Sequence, residues 1–126
     1  MPVDALGDYD DQNIFAKILR GDIPAVRVYE DEWAVAFNDI VPQAPVHVLV
    51  IPRGAWRSWA DFSGRAGDAE IAGFVRAVGA TARLLGLEAP GYRLLANAGG
   101  DAHQEVPHLH VHLFAGRALG PMLVRR

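Results

Sequence analysis

Histidine carries the chemistry in this sequence. Five histidines occur, and four of them fall between positions 103 and 112. The stretch His108-Leu109-His110-Val111-His112-Leu113-Phe114 alternates imidazole with apolar side chains. On a strand, alternate side chains point the same way, with a repeat of roughly 6.5–7 Å. The three imidazoles therefore share one face, and Leu109, Val111 and Leu113 share the other, which must meet helices. An isolated histidine is ordinarily a satisfied core or surface ring. A coherent row is harder to obtain from packing. Histidine is not a favoured strand former, and three stacked rings must share charge and solvent near neutral pH.

Two chemistries suit such a row. His-X-His on a strand can hold zinc, since two rings on one face reach one ion and further ligands come from elsewhere. That use calls for a general-base carboxylate, and none but Glu105 stands at a telling spacing. The other chemistry is covalent catalysis. A neutral imidazole attacks phosphorus, the phospho-imidazole it forms is labile to water, and neighbouring rings handle the leaving-group proton. The strand alone leaves both open. Thiolate catalysis and cysteine-based zinc sites are excluded, because the chain has no cysteine.

The elements that must position these rings can be read from punctuation and periodicity. Asn13 is a good N-cap for a short helix carrying Ile14, Phe15, Ile18 and Leu19, with Gly21 as its stop. Val26 to Tyr29 and Trp33 to Phe37 form a hairpin about the polar turn Glu30-Asp31-Glu32. Pro42 and Pro45 keep the next segment irregular. Val46 to Ile51 is apolar on both faces and reads as a central strand, ended by Pro52. Residues 58–67 are loop or short helix. A longer helix runs from Asp68 to Leu85, with Gly86 just beyond it. Tyr92 to Asn97 and His108 to Phe114 are the last strands, and the tail from Gly116 shows no clear element. The expected class is α+β: about five antiparallel strands with two main helices covering one face. At 126 residues there is room for one core, so an acidic, flexible leader over 1–11 and a single domain over 12–126 are expected.

Composition narrows the partners. The net charge is −3, and the twelve basic residues, eleven of them Arg, form no patch, so neither nucleic acid nor anionic membrane is expected as a partner. The acidic start lacks the basic and apolar regions of a signal peptide, and no apolar run approaches the roughly 20 residues of a spanning helix. A cytoplasmic location is expected.

The residues around the row decide more than the row does. Asn97-Ala98-Gly99-Gly100-Asp101-Ala102-His103-Gln104-Glu105-Val106-Pro107, running into His108-Leu109-His110-Val111-His112, closely resembles the signature of the histidine-triad (HIT) family. That signature is an Asn, a Gly-rich loop, a Gln and three alternating histidines. Asn13-Ile14-Phe15-Ala16-Lys17-Ile18 is similar to the family's opening helix. Phe37-Asn38-Asp39-Ile40, Pro42-Gln43-Ala44-Pro45 and His47-Val48-Leu49-Val50-Ile51-Pro52 are similar to its nucleotide-pocket segment. The likeness covers residues 12–122 and points to the Hint-like, phosphoramidase branch.

The resemblance implies a HIT-like fold that dimerises into one continuous sheet, and a hydrolase that needs no metal or other cofactor. The substrate it implies is a purine nucleoside 5′-phosphoramidate or a related AMP conjugate. His110 would attack the α-phosphorus and carry the nucleotidyl group, with His108, His112 and His47 around it. Asp39 would hold the ribose hydroxyls; Phe15, Phe37 and Ile40 would sandwich the base; Asn97, Gln104 and Glu105 would line the ribose and phosphate site. Taken without the resemblance, Asp39 is equally a turn residue, Phe15 and Phe37 are core aromatics, and His47 is structural. Two positions depart from the family pattern: His103 stands where Gly is common, and Glu105 where many relatives have Ser or Thr. The leaving group is therefore open. Two alternatives accompany the hydrolase: a low-turnover nucleotide-binding regulatory protein, and a His-ligated zinc hydrolase or metal sensor.

Overall fold

The computed structural model describes residues 3–123. In chain order the elements are α1 (Ile14–Leu19), β1 (Arg27–Glu30), β2 (Ala34–Asn38), β3 (Val46–Pro52), α2 (Trp59–Arg65), α3 (Asp68–Leu84), β4 (Arg93–Leu95) and β5 (Val111–Ala115). The strands form one antiparallel sheet in the order β1-β2-β3-β5-β4. The last strand thus inserts beside the central one, and β4 is left at an edge. Among the described residues, no helix is long and apolar enough to cross a membrane.

Local signals account for the helix ends. The Asn13 side chain accepts from Ala16 N–H at 2.9 Å and caps α1, and Gly21 at φ +83° supplies the left-handed residue that stops it. Ser58 caps α2 in the same way, accepting from Asp61 N–H. The undecided segment 58–67 therefore holds a helix, over Trp59–Arg65. α3 ends one residue before Leu85, and Gly86 takes φ +71°.

The core has two sides, which corrects the expectation that the helices cover one face. Ala34, Ala36, Val48, Val50, Leu109, Val111 and Leu113 pack with Phe62 of α2 and with Phe74, Ala77, Val78 and Ala82 of α3. On the opposite face, Val35, Phe37, Leu49 and Ile51 pack with Phe15 and Ile18 of α1. Strand alternation sends Leu109, Val111 and Leu113 to the α3 side, as expected, and so leaves the histidines on the α1 side.

All five strands shift from their expected bounds: β1 runs over Arg27–Glu30 instead of Val26 to Tyr29, and β3 takes in Pro52. β4 pairs only over Arg93–Leu95, shorter than Tyr92 to Asn97, and Trp33 precedes β2 instead of opening it. β5 begins at Val111, so His108, Leu109 and His110 are an extended lead-in outside the ladder. The reason is at Pro52, which has no N–H to continue pairing and whose carbonyl accepts from the His108 ring. Leu109 N–H turns instead to the Trp56 carbonyl. The acidic leader, in its described part, lies against the 53–58 loop: Arg57 donates to the Asp4 and Asp8 carbonyls, and Ser58 Oγ to the Ala5 carbonyl. The expected domain also takes in residues 124–126, which lie outside the described residues.

Gly73 is demanded by packing. α3 passes so close to Trp33 that a Cβ on buried Gly73 would penetrate the indole ring. Gly73→Ala should therefore lower stability by about 1–3 kcal/mol through overpacking, although Ala is about 1 kcal/mol the better helix former. Gly64→Ala in α2, where nothing lies within 4 Å of the new methyl, should raise it by up to ~1 kcal/mol. Urea unfolding of both variants checks this, and a stabilised Gly73→Ala protein would contradict the packing of α3 on Trp33.

Candidate active site

The lead-in and β5 carry the three imidazoles along the α1 face, and β3 carries the fourth beside them. Each ring nitrogen can be followed in turn. His108 is fully buried. One of its nitrogens, Nε2, lies 2.9 Å from the Pro52 carbonyl, which only accepts, so Nε2 bears the proton. Nδ1 is then an acceptor, and it takes the Tyr9 hydroxyl proton at 2.7 Å.

His110 Nδ1 lies 2.8 Å from the carbonyl of His108. That carbonyl can only accept, so the neutral ring carries its proton on Nδ1 and leaves Nε2 bare. The Phe15 ring stands edge-on to His110 with centroids 4.9 Å apart, and His112 stands 5.1 Å away on the other side. Phe15 and the neighbouring histidine therefore fix the plane of the ring.

His47 and His112 form a pair. His47 Nδ1 accepts from Gln43 N–H at 3.1 Å, which puts its proton on Nε2 and aims it at His112 Nδ1, 2.9 Å away. His112 must then carry its own proton on Nε2. Phe114 packs against both rings, 4.3 Å from His47 and stacked parallel to His112 at 5.5 Å. Asp39 follows directly on β2; its Oδ1 accepts from Val41 N–H at 2.8 Å and its Oδ2 lies 3.5 Å from His47 Nε2.

Burial decides the charge of all four rings. Desolvation drives His108 and His112 down to about 4, with the neighbouring His110 adding to the effect in both. Desolvation also lowers His110 and His47, against the opposing pull of Asp39 on each. At neutral pH the row is therefore uncharged, with a bare Nε2 on His110 and an Nε2–H on His112.

A cavity of about 480 Å³ opens over this pair, lined by Phe15, Asp39, Asn97, Glu105, His110 and His112 among the residues singled out from sequence. His47 lies behind His112, and His108 behind His110. Three expected pocket residues do not line the cavity. Ile40 is 92% exposed and belongs to the surface loop. Phe37 is packed in the core against Phe15, with ring centroids 5.6 Å apart. Gln104 is buried with its amide committed to the protein: it accepts from Gly99 N–H and donates to the Arg57 and Val106 carbonyls. Its work is to brace the Gly-rich loop.

Val41, Gln43, Leu49, His103 and Val106 line the cavity, and Tyr9 and Pro52 hold His108. Gln43 holds His47 through its backbone N–H, which no side-chain motif could reveal. His103, at φ +58° in the left-handed region, pairs with Glu105 at 3.0 Å at the cavity mouth. Both of those side chains are largely exposed.

Among the described residues, one group could offer ligands to a metal: Asp39, His47 and His112. The two ring nitrogens stand 2.9 Å apart, a hydrogen-bond separation. Two nitrogens bound to one tetrahedral zinc would stand roughly 3.4 Å apart. The pair is set for a shared proton.

Comparison with known proteins identifies the family. The HIT domain matches residues 20–119. A HIT-like protein of Azospirillum brasilense is 62% identical over 117 residues, covering 93% of this chain and 96% of its own. The purine nucleoside phosphoramidase of Escherichia coli is 40% identical over 116 residues, covering 92% and 97%. Among solved structures, a histidine triad protein from Clostridium difficile superposes with a TM-score of 0.80 at 36% identity, covering 92% of this chain and all of that one. A HIT family hydrolase from Legionella pneumophila gives 0.75 at 38%, covering 85% and 95%. With the domain matched over most of its length and four imidazoles gathered at one site, the chain belongs to the histidine-triad family.

Proposed function

We propose that this protein is a nucleotide-binding hydrolase that cleaves purine nucleoside 5′-phosphoramidates or related AMP conjugates through a nucleotidyl–His110 intermediate. The observation that carries the reading is the His110 ring: neutral, with Nδ1–H held by a backbone carbonyl and Nε2 bare at a cavity wall. In the proposed reaction Nε2 bonds to the α-phosphorus as the phosphorus–nitrogen bond breaks. Positive charge on the phospho-imidazole is met by the His108 carbonyl. An anionic phosphate against His112 offsets the desolvation that keeps the His47–His112 pair neutral, so a proton enters with the substrate and leaves on the amine. Water then attacks the phospho-imidazole and releases AMP.

The rest of the cavity fits a nucleotide. Asp39 Oδ2 and Asn97 offer polar groups to a ribose, and Phe15, Val41 and Leu49 an apolar wall to a base. The E. coli relative named for phosphoramidase activity supports the substrate class. The reading places the enzyme in the cytoplasm. A metal-dependent reaction at Asp39, His47 and His112 is the second reading, and chelation separates the two.

We also propose a homodimer. Edge strand β4 and α3 frame an apolar cavity of about 550 Å³ that includes the exposed side chains Trp59, Val75, Tyr92 and Leu94. A second copy pairing β4 with β4 would cover the apolar wall and the open edge together.

Three measurements check these statements. His110→Ala should lose at least ~10³-fold in AMP release from adenosine 5′-phosphoramidate, and the wild type should keep its rate in a strong chelator. Chelator-sensitive turnover would favour the metal. Because burial lowers the pKa of His110, its neutral form survives below the ordinary histidine value. The acid limb of kcat/KM should therefore fall with a midpoint below ~6.5. A midpoint at or above that value would contradict a buried neutral nucleophile. Finally, wild-type protein should sediment as a dimer and Leu94→Arg as a monomer.

A further inference from the structure

Tyr9 reaches the imidazole face from outside the sheet and takes no part in the bond changes above. It sits at the end of the leader, where Val3 is buried and Arg57 and Ser58 hold the carbonyls of Asp4, Ala5 and Asp8. At the other end Asn13 does two jobs. Its Oδ1 caps α1, while its Nδ2 donates to the Tyr9 hydroxyl at 3.1 Å. The hydroxyl oxygen is thus engaged as an acceptor, and its proton goes to His108 Nδ1 at 2.7 Å. His108 is wholly buried and its other nitrogen is held by Pro52. Without the hydroxyl, Nδ1 would be a buried acceptor with no partner, which favours a turned-over or re-tautomerised ring. Either change costs the ring its bond to Pro52 and loosens residue 108, whose backbone carbonyl holds His110 Nδ1–H.

We propose that Tyr9 is a positioning residue, which fixes the tautomer and pose of His108 and through its carbonyl keeps His110 Nε2 bare, with residues 3–11 as the strap that holds Tyr9 in place. The inference rests on His110 being the nucleophile. The hydroxyl sits 99 positions from the ring it serves, so no local motif announces it.

The test uses the full chain as wild type, Tyr9→Phe, Arg57→Ala and His110→Ala. Each is assayed for kcat and KM on adenosine 5′-phosphoramidate and for imidazole nitrogen signals by long-range ¹H–¹⁵N correlation. Tyr9→Phe keeps the ring and loses the hydroxyl. It should lower kcat roughly tenfold with KM within about twofold, the scale of one lost hydrogen bond, and shift the His108 nitrogens toward a mixture of tautomers. Arg57→Ala frees two carbonyl anchors but keeps the hydroxyl, and should cause a smaller fall in the same direction. A Tyr9→Phe protein with wild-type kcat, or with unmoved His108 signals, overturns the proposal. So does a loss confined to Arg57→Ala, which would assign the effect to packing of the strap. If His110→Ala stays active, the nucleophile reading fails, while the His108 signals still decide whether the Tyr9 hydroxyl sets that ring.

Discussion

A single hydrogen bond orders the site: His110 Nδ1–H to the carbonyl of its neighbour two residues back, at 2.8 Å. Histidine near neutrality has two tautomers, and only one leaves Nε2 free to attack. A backbone carbonyl selects it without adding a charge, whereas a carboxylate in the same place would raise the proton affinity of the ring. The cost falls on the strand. Residues 108–110 must leave the ladder so that the carbonyl can turn back to the ring, and Pro52 makes this cheap because it has no N–H to leave unpaired.

The same economy runs through the other rings. Four imidazoles on a nearly dry face cannot all be cationic, and burial lowers every one of them. Neutral rings in turn need a donor and an acceptor each. His108 has Pro52 and Tyr9, and His47 has Gln43 and His112. No buried side-chain polar atom among the described residues lacks a partner. The unused valences are His110 Nε2 and His112 Nε2–H, which flank the cavity. The apolar groups that enforce this dryness come from both ends of the fold: Phe15 from α1 and Phe114 from β5.

Much of this was legible in the sequence because it rests on period-two alternation and local caps. The histidine row, the opposite row of Leu109, Val111 and Leu113 facing α3, the Asn13 cap and the Gly86 terminus all follow from residue type and spacing. The β5 boundary was not legible, because it depends on a carbonyl at Pro52 being captured by a distant ring. Phe37 and Gln104 look like pocket residues by position, yet one completes the α1-side core and the other satisfies three backbone groups. Only packing distinguishes a ring that lines a cavity from one that supports its wall. Tyr9 and the backbone of Gln43 were invisible for the same reason: their partners are set by the tertiary fold.

The ordered tautomers are the centre of the account, and they can be observed without substrate. Long-range ¹H–¹⁵N correlation of the uniformly labelled wild-type protein at pH 7 reports which nitrogen of each ring bears its proton. His110 should be neutral, protonated on Nδ1 with an unprotonated Nε2, and His112 neutral and protonated on Nε2. A cationic His110, or one with its proton on Nε2, would contradict it, because no lone pair would then face the cavity.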